Sequence, residues 1–399
     1  MKPKSFMLIA GEASGDLLAA ELVSALRTKV LLAESAHTND VQPLRTQLEP
    51  HFFGAGGPKM AAAGVDLAFD MTKHSVIGIS DVLKKYFEFK RLFNQLLKLA
   101  IERQPDVIIG VDYGGFNLRF GHAIKQYVRK NSGMFSGWKP KIVQFVSPQV
   151  WASRPGRAYQ LESDYDLVLS IFPFEKDWYA RKVPKLHVEF VGHPMVGRFT
   201  HAKPETASIV NRRSQILLLP GSRKGELQKH LPVMLGALAL MQKKTPTVKA
   251  KMVLPNESLA QLAKSLGSGT EIQIGNLPSA LGEADVAISK TGTITMECAF
   301  FGVPTVAMYK TSLVTYEIAK RIITVTSITM PNLLTGEEVF PEFIQHTATA
   351  ENIANAALDL LTNESRRARI KSKLAEIVSS LGGPGAPERA ADAILSLTK

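Results

Sequence analysis

Short apolar runs alternate with longer amphipathic stretches along this chain. SFMLIAG (5–11) leads into SGDLLAAELVSALRTK (14–29), and PDVIIGVD (105–112) leads into NLRFGHAIKQYVRK (117–130). KIVQFVSP (141–148), YDLVLSIFPFEKDWYARK (165–182) and VEFVGHP (188–194) follow. The alternation then restarts with QILLLPGSR (215–223), LQKHLPVMLGALALMQKK (227–244), AKMVLPN (250–256), DVAISKTGT (285–293), ITMECAFFG (294–302) and PTVAMYK (304–310). Val-, Ile- and Leu-rich runs without alternation read as strands buried on both faces, and the stretches between them read as helices. Strand and helix in turn build a parallel α/β sheet, and here the series occurs twice. The pattern predicts two doubly wound domains facing each other across a cleft. We place them at residues 1–198 and 199–365, with GRFTHAKPETASIVNRRS (197–214) as the soft junction. Residues 366–399 form a helical tail, broken at GGPGAP, that packs back on the body.

Composition narrows the chemistry. The chain has 399 residues, 45% hydrophobic and 21% charged, an ordinary globular balance. Its one cysteine, Cys298, excludes an internal disulfide framework and a multi-cysteine metal site, and reads as core. No apolar run reaches the roughly 18 residues of a spanning helix. The apolar start is too short for a leader and opens into a helix, so it reads as a first strand of a cytoplasmic protein. A formal charge of +12 calls for an anionic partner: nucleic acid, an anionic membrane face or phosphorylated substrates. No nucleic-acid signature supports the first of these, no zinc spacing is present, and no cofactor is expected.

In doubly wound sheets ligands bind beyond the carboxyl ends of the strands. The first such end is Gly11-Glu12-Ala13-Ser14-Gly15-Asp16, a turn opening a helix with Ser14 as N-cap and Asp16 in the first turn. It suits either a ligand or a well-capped helix, and the Gly-rich exit FFGAGGPKM (52–60) is equally open. Asp112 ends a buried run. Partial desolvation there raises a carboxyl pKa and suits a general base for a hydroxyl; a cap on the turn at Gly114-Gly115 is the other reading. Ser147, Pro148 and Trp151 read as a rigid exposed platform beside Arg154 and Arg157, or as a loop over a buried Trp. His193 suits a functional or a satisfied loop histidine.

In the second half, Leu217–Leu219 meet Pro220-Gly221, with Ser222 as a cap and Arg223 beside it. Free backbone N–H groups at a helix start, with a guanidinium, suit a phosphate or pyrophosphate; a solvent-facing arginine in a turn is the other reading. Thr291, Gly292 and Thr293 repeat the arrangement after DVAIS, and Glu297 lies one turn on, suited to ribose hydroxyls. Two such helix starts in one half favour a nucleotide diphosphate. Asn332, after a proline in MPNLLTG (330–336), suits ligand orientation.

These motifs carry a resemblance. AGEASGD, GPKM, VIGISDVL, PDVIIGVD, VSPQVWASR, FPFEKDWY, VGHP, LLPGSR, TGT…E and MPNLLTG occur in the order and spacing of the lipid-A-disaccharide synthases, inverting glycosyltransferases of GT-B fold. The match runs nearly end to end. It implies transfer from UDP-2,3-diacylglucosamine to 2,3-diacylglucosamine 1-phosphate (lipid X), giving a β-1,6-linked disaccharide and UDP. It also implies no metal, a peripheral place on the cytoplasmic face of the Gram-negative inner membrane, and a nucleotide held mainly by the C-terminal domain; a homodimer stays open. The family's essential aspartate, arginine and asparagine fall on Asp112, Arg223 and Asn332, and GEASGD falls on the acceptor side. The sequence departs where the family carries a second acid: Tyr113, Gly114, Gly115 and Phe116 follow Asp112, and QVWAS-Arg stands for SVWAW-Arg. Both changes bear on the acceptor.

The stretch Val82–Ala100 is amphipathic. Leu83, Tyr86, Phe87 and Phe89 are among its apolar residues, flanked by Lys84, Lys85, Lys90 and Arg91. Such a helix suits an anionic membrane surface and acyl chains, or ordinary core packing with a solvated basic face. The acylated substrates and the +12 charge favour the membrane. Two rivals share the nucleotide motifs: a UDP-N-acetylglucosamine epimerase, and a non-catalytic membrane-surface protein that binds nucleotide sugar.

Overall fold

The computed structural model describes residues 4–35, 49–74, 82–131, 133, 137–200 and 215–398. Most of the junction (201–214) and most of VIGISDVL (76–81) lie outside the described residues, as do the side chains at 82–86, including Leu83, Lys84, Lys85 and Tyr86. The chain forms two compact units, Met1–Pro194 with Gly383–Lys399, and Met195–Gly382.

Unit one follows β1 (Ser5–Ala10), α1 (Ala13–Ser35), β2 (His51–Gly56), α2 (Pro58–Ala62), β3 (Asp66–Asp70), α3 (Val82–Arg103), β4 (Val107–Val111) and α4 (Gly114–Asn131). It continues through β5 (Lys141–Phe145), α5 (Val150–Ser153), α6 (Arg157–Asp164), β6 (Leu167–Ser170), α7 (Pro173–Lys182) and β7 (Val188–Phe190), and α8 (Pro194–Phe199) starts at its boundary. The seven strands lie in the order β3-β2-β1-β4-β5-β6-β7, with parallel pairing throughout. The unbroken apolar runs explain the two central strands: β4 is buried at every position and β1 at all but its first.

Unit two runs β8 (Gln215–Leu219), α9 (Lys224–Lys244), β9 (Lys249–Leu254), α10 (Glu257–Ser265), β10 (Glu271–Ile274), α11 (Leu277–Glu283), β11 (Val286–Lys290) and α12 (Thr293–Phe300). Then come β12 (Thr305–Tyr309), α13 (Leu313–Ile322), α14 (Met330–Thr335), β13 (Glu342–Ile344), α15 (Ala350–Thr362) and α16 (Glu364–Ser380). Its order, β10-β9-β8-β11-β12-β13, repeats the winding of the first sheet, again all parallel. This is the two-fold α/β architecture that the alternation of runs predicts. The direction of winding reverses between β1 and β4, and between β8 and β11. Crevices for ligands open at such reversals, outside the carboxyl ends.

The last helix, α17 (Ala386–Ser396), returns to unit one and packs on α1. Lys29 meets Asp392 at 2.7 Å, and Arg389 donates to the Val191 carbonyl at 2.8 Å.

From Phe89 onward the apolar face of α3 belongs to the core. Leu92, Leu96 and Ala100 are buried, Phe89 and Leu97 pack on the same cluster, and Phe93 stands edge-on to Phe116 (5.4 Å) and Phe120 (5.6 Å) of α4. The expectation that Phe89 meets a membrane is corrected: α4 covers that face. Phe87, Lys90 and Arg91 remain exposed. Among the described residues no helix is long and apolar enough to cross a membrane.

Candidate functional site

In unit one the turns after β1 and β4 pack together at the winding reversal. Asp112 and Tyr113 both take left-handed backbone conformations, φ +51° and +47°, which disfavour side-chain-bearing residues. Hydrogen bonds hold the turn. The Asp112 N–H donates to the Phe145 carbonyl at 2.8 Å, and its carbonyl accepts from Asn117 Nδ2 (2.8 Å) and Gln144 Nε2 (2.9 Å). Gly114 and Gly115, which the sequence suggested as the turn, are already the first residues of α4. Burial, and secondarily the negative charge of Glu12, raise the Asp112 carboxyl above the ordinary range, against the Tyr113 N–H. Glu12 thus stands as a neighbouring acid, although the position three residues after Asp112 is Gly115.

Within GEASGD each residue has a distinct place. A Cβ on Gly11 would lie 2.4 Å from the Tyr113 ring, so glycine lets that ring close over the turn. A Cβ on Gly15 would rest 3.7 Å from that of Asp112. Ser14 is exposed inside the first turn of α1, which begins at Ala13, so it is not the N-cap. Asp16 is corrected from ligand contact to scaffold. Buried, its carboxylate accepts from the N–H groups of Gly57 (2.7 Å), Lys59 (2.9 Å) and Met60 (3.0 Å), tying α1 to the start of α2. The platform after β5 is corrected too. Ser147 and Trp151 are buried; Trp151 Nε1 donates to Glu175 at 3.0 Å, and burial pushes the Glu175 carboxyl up to about 7. Arg154 is exposed, and burial together with Arg154 and Arg119 lowers the Arg157 pKa. His193 is buried, its ring 5.4 Å from that of Phe172.

In unit two the turns after β8 and β11 flank the second reversal. Gly221 has φ +127°, and Arg223 is the N-cap of α9 in place of Ser222. Two residues that sequence reasoning left without a role complete the cluster. Glu226 accepts from the Ser222 N–H (3.0 Å) and from Lys290 Nζ (3.1 Å), and lies 3.7 Å from the Arg223 guanidinium. The signal for Glu226 was its place in the first turn of the helix after the motif; for Lys290, a lysine inside SKTGT. Gly292 caps α12, with Thr291 before it and Thr293 opening the helix. Glu297 is half-buried, and desolvation pushes it up to about 7 against the pull of Arg198.

Buried His230 ties two loops together. Its Nδ1 donates to the Pro220 carbonyl at 2.8 Å, and Nε2 lies 3.1 Å from both the N–H and the carbonyl of Lys310. Burial lowers the imidazole pKa against the pull of the two carbonyls and so favours the neutral ring. Asn332 is corrected. Its Nδ2 donates to the Phe340 carbonyl (2.8 Å) and Glu342 (2.9 Å), and its Oδ1 accepts from the Val339 and Phe340 N–H groups. All four amide positions are engaged within the chain, so Asn332 positions the loop before β13.

Known proteins share this architecture and sequence. A family model described as lipid-A-disaccharide synthetase matches residues 6–395. The lipid-A-disaccharide synthase of Trichlorobacter lovleyi is 33% identical over 100% of this chain and 98% of its own; that of Syntrophus aciditrophicus is 34% identical over 100% and 99%. Among solved structures, the UDP-GlcNAc 2-epimerase of Neisseria meningitidis bound to UDP-GlcNAc superposes with TM-score 0.56 at 12% identity, over 99% of this chain and 100% of that one. The glycotransferase of kitacinnamycin gives 0.59 at 16%, over 99% of each. These likenesses establish the GT-B fold, and the relatives matched along their whole length establish more: the chain belongs to the lipid-A-disaccharide synthase family.

Proposed function

We propose that this enzyme transfers the sugar of UDP-2,3-diacylglucosamine to the 6-hydroxyl of 2,3-diacylglucosamine 1-phosphate, with inversion, without a metal, and at the cytoplasmic face of the inner membrane. The observation that carries the reading is the Asp112 turn: three hydrogen bonds hold its backbone at the winding reversal, and its half-buried carboxyl has a raised pKa. Asp112 takes the proton of the acceptor hydroxyl as it attacks the anomeric carbon from the face opposite UDP. Arg223 and the helix starts at α9 and α12 stabilise the charge that builds on the departing diphosphate. Glu297 receives the ribose hydroxyls.

The test is incubation with the UDP-sugar alone and with both substrates. Disaccharide and UDP formed only with both support the synthase; epimerised UDP-sugar without acceptor overturns it. Asp112→Asn should lower turnover by about 10²–10⁴-fold, the scale of general-base catalysis, with UDP binding retained. Arg223→Ala should weaken UDP binding and slow turnover together. For the membrane, exposed Phe87 beside Lys90 and Arg91 and the +12 charge support surface contact. Flotation with anionic liposomes at low salt should recover the protein, and a protein left at the bottom refutes that contact.

A further inference from the structure

We propose that Lys290 is a second cation for the donor diphosphate, and that Glu226 is a built-in competitor which holds Lys290 and hands it to the nucleotide. The proposal rests on the reading of unit two as the UDP-sugar side. Lys290 ends β11 with its side chain only 19% exposed, and its ammonium lies 3.1 Å from Glu226 Oε1. The same oxygen is 3.7 Å from Arg223. One carboxylate oxygen therefore lies within reach of both cations, beside the starts of α9 and α12. A diphosphate bound at these helix starts carries enough oxygens and charge to engage both.

The local backbone is shaped around this pair. A Cβ on Gly221 would stand 2.5 Å from Glu226 Oε2, and one on Gly292 would stand 3.5 Å from Lys290 Nζ. Glycine at 221 admits the carboxylate, and the Lys290 ammonium lies beside the cap of α12. Burial favours a neutral Glu226, but Lys290, the Ser222 N–H and Arg223 outweigh it and keep the carboxylate ionised. A nucleotide phosphate at these helix starts competes with Glu226 for Lys290. When UDP leaves, Glu226 takes the ammonium back, which favours product release.

Calorimetric titration with UDP and with uridine separates the contributions. Lys290→Met should weaken UDP about tenfold, the scale of one charge-assisted hydrogen bond, and leave uridine unchanged. Lys290→Arg should retain most of the affinity. Glu226→Gln, which keeps an acceptor for the Ser222 N–H, should tighten UDP severalfold and lower kcat and KM together as release slows. Unchanged UDP affinity in Lys290→Met, or weaker UDP binding in Glu226→Gln, overturns the proposal; if Lys290→Met fails to fold, the sign of the Glu226→Gln effect decides. Arg223→Ala keeps the two levels apart. If it weakens UDP while Lys290→Met does not, the proposal alone falls; if the wild-type protein binds no UDP, the donor-side reading falls and takes the proposal with it.

Discussion

Asp112 combines an unfavourable backbone with a raised carboxyl pKa. A left-handed conformation costs roughly 1–2 kcal/mol per side-chain-bearing residue, and here Asp112 and Tyr113 adopt it in succession. The carbonyl bonds from Asn117 and Gln144 offset part of that. Gln144→Leu should therefore destabilise unit one by about 1–3 kcal/mol and lower kcat more than it changes KM, since it displaces the carboxyl rather than a binding group. Thermal denaturation with steady-state kinetics reads both. Burial first and Glu12 second hold the Asp112 proton, so the acid limb of kcat/KM should lie above the free carboxyl value of about 3.9, and Glu12→Gln should move it down. A limb that stays in place would show that the charge of Glu12 is not felt there. The sequence made Asp112 legible as an acid ending an apolar run. It hid the turn, because the glycines that follow invite the positive φ that Asp112 and Tyr113 take instead. Asn332 was legible as a polar residue after a proline, but partners seven to ten residues downstream decide where its amide points.

At the scale of elements, α3 shows what periodicity omits. Its apolar face is evident in the spacing; what covers that face depends on where α4 lies, and Phe116 and Phe120 settle it. Leu96→Ala should cost about 2–5 kcal/mol, the range for a leucine truncated in a core, whereas Phe87→Ser should leave stability nearly unchanged. Urea unfolding distinguishes them. In α9, His230 joins the β8 loop to the end of β12, and burial favours its neutral ring. Its folded pKa lies below the unfolded value, so its contribution is complete above about pH 6.5 and is lost as pH falls through the folded pKa. His230→Phe should be destabilised at pH 8 and lose less than the parent on acidification. An identical pH slope in both proteins would rule this out.

The two sheets share one winding order, and that architecture was legible at the scale of the molecule because buried parallel strands carry unbroken apolar runs. The destination of the final helix was not: α17 has an apolar face, but nothing in its spacing names α1 as the surface that covers it. Removal of residues 383–399 should expose that surface and make unit one, but not Met195–Gly382, sensitive to limited proteolysis. Equal protection of both units would contradict the packing. In the order of the chain, then, unit two is an insertion within unit one. Vectorial synthesis delivers all of unit two to Gly382 before α17 emerges from the ribosome. Domains generally fold as units during synthesis, the earlier first; here the unit begun first must wait for a helix translated after all of unit two. A chain released before α17 would carry a finished unit two beside an unfinished unit one, so completion of unit one depends on unit two having been made first.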